Sequence, residues 1–315
     1  MTSSLGRTVQ GVSAQDAAEL TGVPGLDRLA RIYGSAEYLE KAMRDWGDDV
    51  FFLDMYAELQ RRTRERSPSN VVSGPLTAST IAAATSSRLE NNDIDDDIGT
   101  GTIFDEPAGN YERLRQKTEA ITTDTLRSSV KEALRPYARS ASFAGTTPGF
   151  REGDLAVSPD LQGAVRVLSQ GLQFLARALA AAPLRRVARA VAGQADEFIF
   201  ERVVLAKDFS LDGARQLAVD LDAVLKAMCG ALGRKAGLVR LRQTEDALRL
   251  LSLPVETSEE NSEALTLWQV EQRLFATNED ARAVLEELGC GSLTEAEARK
   301  VVRCRPEVES SLYGR

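Results

Sequence analysis

The sequence predicts an all-α fold, and three of its features carry that expectation. Apolar residues recur every three or four positions over several long stretches, helix-start signals precede most of them, and alternation of period two is nowhere sustained. The most regular stretch is Leu161, Val165, Leu168, Leu172, Leu175 and Leu179. Its steps of four and three average 3.5 residues, the spacing of a helical seam packed along a neighbour. Val203 to Ala206 is the only run arguable as a strand, and the helical stripe around it explains the same residues more economically.

Taken in order, residues 1–34 read as a poorly ordered N-terminal segment, followed by a helical bundle over 35–138. Its first helix is expected from about Ser35 to Arg66, on apolar positions Leu39, Ala42 or Met43, Trp46, Val50, Leu53 and Ala57, with Trp46 and Phe51 pointing into a core. The basic end, Gln60 to Arg66, suits the negative pole of the helix dipole. Residues 67–101 turn to Ser, Thr, Ala, Asn, Asp and Gly without an apolar period, the composition of a disordered insertion. Within it, Asp93, Asp95 and Asp97 have the alternate spacing of a calcium loop. Counting from Asp93, however, puts Ile98 where the loop needs Gly and Phe104 where it needs Glu, and counting from Asp95 puts Thr100 at the turn. A solvated acidic loop accounts for the run. A second helix opens near Pro107 and is expected to end at Leu134, before Arg135-Pro136. Residues 139–157, rich in Gly, Ser and Thr and holding Pro148, read as a linker and subdomain boundary.

Residues 158–315 form the expected C-terminal helical bundle. Ser158-Pro159 is a helix start, and the arm from there to Ala182 is roughly 37 Å long, better suited to a rod than to a compact enzyme. Pro183 must kink or end it, after which Leu184, Val187, Val191, Phe198 and Leu205 carry a comparable stripe. Later helices are marked by their starts: Ser210 before Leu211 to Cys229, Thr257 with Glu260, Asn278 before Ala281 to Leu288 and the closing Gly289, and Thr294 with Glu297.

Composition then narrows the chemistry. The 315 residues leave room for about two domains, and 43% hydrophobic with 27% charged residues is ordinary for a globular protein. The net charge of −8 argues against a dominant nucleic-acid footprint. There is no histidine, which removes Ser-His-Asp and Cys-His catalysis, the HExxH metalloproteases and histidine-held zinc or haem. Cys229, Cys290 and Cys304 are odd in number and widely spaced, so they read as reduced thiols of a cytosolic protein. No apolar run reaches transmembrane length, and Met1 to Gln10 lacks a secretory h-region.

Specific motifs add little chemistry. No GxxxxGK[ST] loop is present, and Gly99-Thr100-Gly101 lacks a third glycine and a preceding strand. Glu286 with Glu287, and Glu259 with Glu260, fall on expected exposed faces or helix starts, where surface charge and capping explain them. Arg234, Lys235, Arg240 and Arg242 could meet acidic lipid or a partner, but no aromatic residue interleaves them to stack bases. No catalytic residue, cofactor or metal ligand is therefore assigned, and no partner-binding residue is singled out.

The most specific signal is DEFIFERVVLAKDFSLDGARQLAVDLDAV at 196–224. Its aromatic-aliphatic segment Phe198 to Leu205, then Phe209, Gly213-Ala214, Gln216-Leu217 and Asp220, occur in an order that resembles the RINT/TIP family of vesicle-tethering subunits, members of the Dsl-type tether of the endoplasmic reticulum. Arg215 stands where the family pattern usually has a second alanine. Weaker echoes follow the family order at 44–55, 103–124, 135–139 and 288–305.

The resemblance implies an elongated stack of antiparallel helix bundles of the helical-rod tether type. It further implies a non-catalytic subunit acting in Golgi-to-endoplasmic-reticulum retrograde transport, cytoplasmic and peripheral to the endoplasmic reticulum membrane, with SNARE proteins and other tether subunits as partners. The matching part is the C-terminal portion of the family pattern, so the coiled-coil region that pairs tether subunits is expected to be missing, as in a fragment or a reduced homologue. An α-helical enzyme or small-molecule binder using carboxylates and arginines is the alternative.

Overall fold

The computed structural model describes residues 22–66, 102–145, 155–233, 239–255 and 265–307. Among these residues the regular structure is helical: α1 (Gly22–Gly47), α2 (Val50–Arg66), α3 (Asp105–Ser140), α4 (Gln162–Ala178), α5 (Ala181–Ile199), α6 (Leu211–Leu232), α7 (Arg242–Leu251), α8 (Leu267–Ala276), α9 (Asn278–Glu287) and α10 (Glu295–Arg303). A 3-10 turn, Pro159–Leu161, precedes α4, and a π-helical turn, Phe200–Val204, extends α5. The all-α expectation holds. The chain divides into two compact units, with divisions inside α1 between Asp27 and Arg28 and inside α3 between Ile121 and Thr122.

The first unit contains most of α1, all of α2 and the first half of α3. Glu40 pairs with Arg115 at 2.8 Å and Arg44 with Glu112 at 2.8 Å. Numbers rise along α1 as they fall along α3, so the two helices run antiparallel. Three corrections to the sequence reading arise here. The segment expected to be poorly ordered up to residue 34 is helical from Gly22 and buries Leu29, Ile32 and Tyr33. The single helix expected over 35–66 is two, because Asp49 restarts the chain: its side chain accepts from the Phe51 N–H at 2.9 Å, and its carbonyl from Phe52 and Leu53. Trp46 and Phe51, expected in a core, are exposed. The expected insertion at 67–101 lies outside the described residues, as do Asp93, Asp95, Asp97 and Gly99 to Gly101.

The second unit holds the remaining helices around one core. The α4 seam is buried at Leu161, Leu168, Leu172 and Leu175, and α4 packs on α6. A Cβ on Gly171 would come within 2.8 Å of Leu126, so glycine lets α3 lie close to α4. α4 ends at Ala178, and Pro183 sits in the first turn of α5, whose apolar face adds Leu184, Val187, Val191 and Phe198 to the core. α7 packs against α5, α6 and α10, while α8, α9 and α10 pack on one another.

Two boundaries differ from expectation. α3 does not stop at Leu134; it runs through Pro136 to Ser140. Buried Tyr137 explains why, since its hydroxyl donates to Asp220 at 2.9 Å and anchors the turn that proline weakens. The segment read as a linker at 139–157 is also not the division between units. Its Phe143 is buried, stacks on Phe209 with ring centroids 4.7 Å apart, and forms an isolated β-bridge with it. Of the expected helix starts, Ser210 caps α6 and Thr294 with Glu297 forms a capping box on α10. Thr257 and Glu260 lie outside the described residues; the capping box seen at α8 is Thr266 with Gln269. The cap of α9 is Thr277, one residue before the expected Asn278. Gly289, at φ +67°, lies two residues beyond α9 in the left-handed conformation glycine favours.

Candidate partner-binding surface

The motif at 196–224 is explained by packing. Ser210 accepts from the Gly213 N–H at 3.1 Å, and its own N–H donates to the Phe143 carbonyl at 2.9 Å. A Cβ on Gly213 would lie 2.0 Å from that carbonyl oxygen, so only glycine admits it. Ala214 and Leu217 face the core. One turn on, the Gln216 amide donates to the Ala156 carbonyl at 2.9 Å, and Asp220 accepts from the Ser158 N–H at 2.8 Å, the Ser158 hydroxyl at 2.7 Å and Tyr137. Gly-Ala-x-Gln-Leu-x-x-Asp therefore staples the residues around 143 and 156–158 onto α6. Burial, reinforced by the Asp220 charge, pushes the Tyr137 phenol well above its ordinary value.

The other buried polar groups serve the same purpose. Asp196 accepts from the N–H groups of Gln243 at 3.1 Å and Thr244 at 2.9 Å and from the Thr244 hydroxyl at 2.6 Å, capping α7, whose own preceding residue Leu241 offers no side-chain acceptor. Burial raises the Asp196 carboxyl despite these bonds. Fully buried Arg305 donates to the carbonyls of Leu251 and Leu253 at the other end of α7. Asp246 accepts from the Ser292 N–H at 2.9 Å and from its hydroxyl, holding the turn before α10. A general base needs a lone pair directed at open space. Asp196, Asp220 and Asp246 direct theirs at backbone N–H groups and hydroxyls, with the Gln216 amide also donating to Asp220 and the Arg249 guanidinium to Asp246.

Among the described residues, those weighed in the sequence as possible sites are engaged separately. Arg240 pairs with Glu245, Glu287 pairs with Arg273, and Glu286 is exposed. Arg242 is exposed at the start of α7, while Arg234, Lys235, Glu259 and Glu260 lie outside the described residues. Cys290 is buried, its thiol raised to about 11 by burial and by Asp246; Cys229 and Cys304 are partly exposed. Among the described residues no three His, Cys, Asp or Glu side chains are grouped to share a metal ion, and no helix is long and apolar enough to cross a membrane.

What sequence reasoning missed is a surface. At the junction of α1 and α2, Trp46, Val50, Phe51 and Leu53 are 48%, 70%, 67% and 41% exposed. Beneath them Phe104 meets Trp46 with centroids 5.7 Å apart and Phe52 edge-on at 4.9 Å. This aromatic base fixes the junction and holds the apolar side chains outward.

The described residues form an all-helical scaffold whose buried aspartates are hydrogen-bonded within it, and Trp46, Val50, Phe51 and Leu53 cluster at one junction among exposed apolar residues that also include Val23, Tyr38 and Leu59. The chain belongs to the RINT-1/TIP-1 family, whose model matches residues 1–305. It is 24% identical over 221 residues to a RINT1-like protein of Drosophila melanogaster, an alignment covering 70% of this chain and 26% of that protein. Its fold is similar to a chain in the crystal structure of the SNARE Sec20 bound to the Dsl1 complex subunit Tip20, with a TM-score of 0.50 and 16% identity over 96% of this chain and 56% of that one. The chain thus spans about a quarter of the fly relative and about half of the crystallised one.

Proposed function

We propose that this chain acts as a non-catalytic part of a vesicle-tethering subunit in Golgi-to-endoplasmic-reticulum retrograde transport, at the cytoplasmic surface of the endoplasmic reticulum, where it binds SNARE proteins. The observation that carries the reading is the family match over residues 1–305. The fold shared with the Sec20–Tip20 structure is compatible with it. Recognition of a helical SNARE region requires a stable helical scaffold and apolar surface, and no covalent step.

Affinity purification of the tagged chain from cell extract, followed by mass spectrometry, tests the reading. Recovery of an endoplasmic-reticulum SNARE is expected. Recovery of metabolic enzymes or of a tightly bound small molecule, with no membrane-traffic protein, would overturn it in favour of a helical small-molecule binder.

A further inference from the structure

We propose that the exposed face formed by Trp46, Val50, Phe51 and Leu53 is a docking surface for a basic amphipathic helix of a partner protein. The inference rests on exposure and charge at this face alone, and it stands or falls separately from the tethering role.

The apolar part has a length suited to a helix. Val50, Leu53 and the exposed Ala57 share one side of α2 over about 10 Å, close to two turns of a docked helix. Trp46 adds an indole at the end of α1. A partner helix would meet this row with residues at i, i+3, i+4 and i+7.

The rim selects the charge of that helix. From residue 45 to residue 57 the chain carries Asp45, Asp48, Asp49 and Asp54 and no Lys or Arg. All four aspartates are exposed. Asp105 and Glu106, also exposed, follow Phe104 directly at the base of the face. Of the flanking cations, Arg44 pairs with Glu40 and Glu112 and Arg61 and Arg62 pair with Glu58, while Lys41 lies one turn before Asp45 on α1. An apolar centre with an acidic rim complements an apolar stripe flanked by Lys or Arg. The same rim repels an anionic bilayer. It also disfavours a second copy of this chain, since a two-fold contact would set like carboxylates against one another.

The test uses the full chain carrying Trp268→Phe, so that Trp46 is the remaining indole. The probes are a 20-residue model helix with a leucine stripe flanked by lysines, the same helix with glutamates, and vesicles rich in phosphatidylserine. The lysine helix is expected to shift Trp46 emission to the blue, saturably, at least tenfold more tightly than the glutamate helix. Val50→Asp and Phe51→Asp, both at exposed positions, should each weaken binding about tenfold while circular dichroism stays unchanged. Asp45→Asn, Asp48→Asn and Asp54→Asn together should weaken it several-fold and flatten its salt dependence; Asp49 is left alone because it caps α2. Equal binding of both helices, no shift with either, preferential binding to vesicles, or self-association that quenches the signal would each overturn the proposal. A SNARE that binds wild type and Phe51→Asp alike would leave the tethering role intact.

Discussion

Asp196 and Arg305 hold opposite ends of the same ten-residue helix, α7. The carboxylate sits at the N-terminus and the guanidinium at the C-terminus, so each charge opposes the helix pole it faces. A helix this short is not stable alone. Asp196→Ala and Arg305→Met should each cost about 1–3 kcal/mol, the usual price of orphaned buried hydrogen-bonding groups. Amide exchange localises the effect: protection should fall first in α7, and uniform loss across the second unit would show that the caps have no special hold on it.

Glycines in α6 offer a paired test. Gly213→Ala sets a methyl against the Phe143 carbonyl and should destabilise by about 2–4 kcal/mol, as other overpacked or strained sites do. Gly230, in the same helix, has nothing within 4 Å of a Cβ, so Gly230→Ala should stabilise by about 0.5–1 kcal/mol. Denaturant melts of the two variants check both signs.

Leu168 and Leu172 are fully buried on α4. Truncating either to alanine should cost about 2–5 kcal/mol. The melting temperature should drop before any partner affinity changes; intact stability with lost binding would make the seam an interface.

The Cys290 thiol offers a pH test. Burial and Asp246 raise it from about 9 to about 11 in the folded state. A raised pKa means the folded state favours the protonated thiol, so its stability is whole below pH 9 and is lost as pH rises toward 11. Cys290→Ala should reduce that alkaline loss. In the native wild type, Cys290 should resist alkylation at pH 8 until denaturant is added, as peptide mapping would show.

These residues also show what was legible in the sequence. The α4 seam and the starts of α6 and α10 could be read because their signals are local: a 3.5-residue period, Ser210, and Thr294 with Glu297. The start of α1 was hidden by Gly22, Pro24, Gly25 and Gly34, which dilute its period. α7 escaped notice because its caps lie 47 to 48 residues before its first turn and about 50 residues after its end. The stripe through Trp46, Val50 and Leu53 was visible, but periodicity shows which face is apolar and not what covers it. Periodicity therefore puts Trp46 and Phe51 in a core where the structure exposes them.

The tethering account is tested most directly by calorimetric titration of the purified chain with the N-terminal region of an endoplasmic-reticulum SNARE of the Sec20 type. It predicts saturable one-to-one binding to a chain whose circular dichroism is helical. A chain that melts cooperatively and shows no heat of binding to any such SNARE region would contradict it.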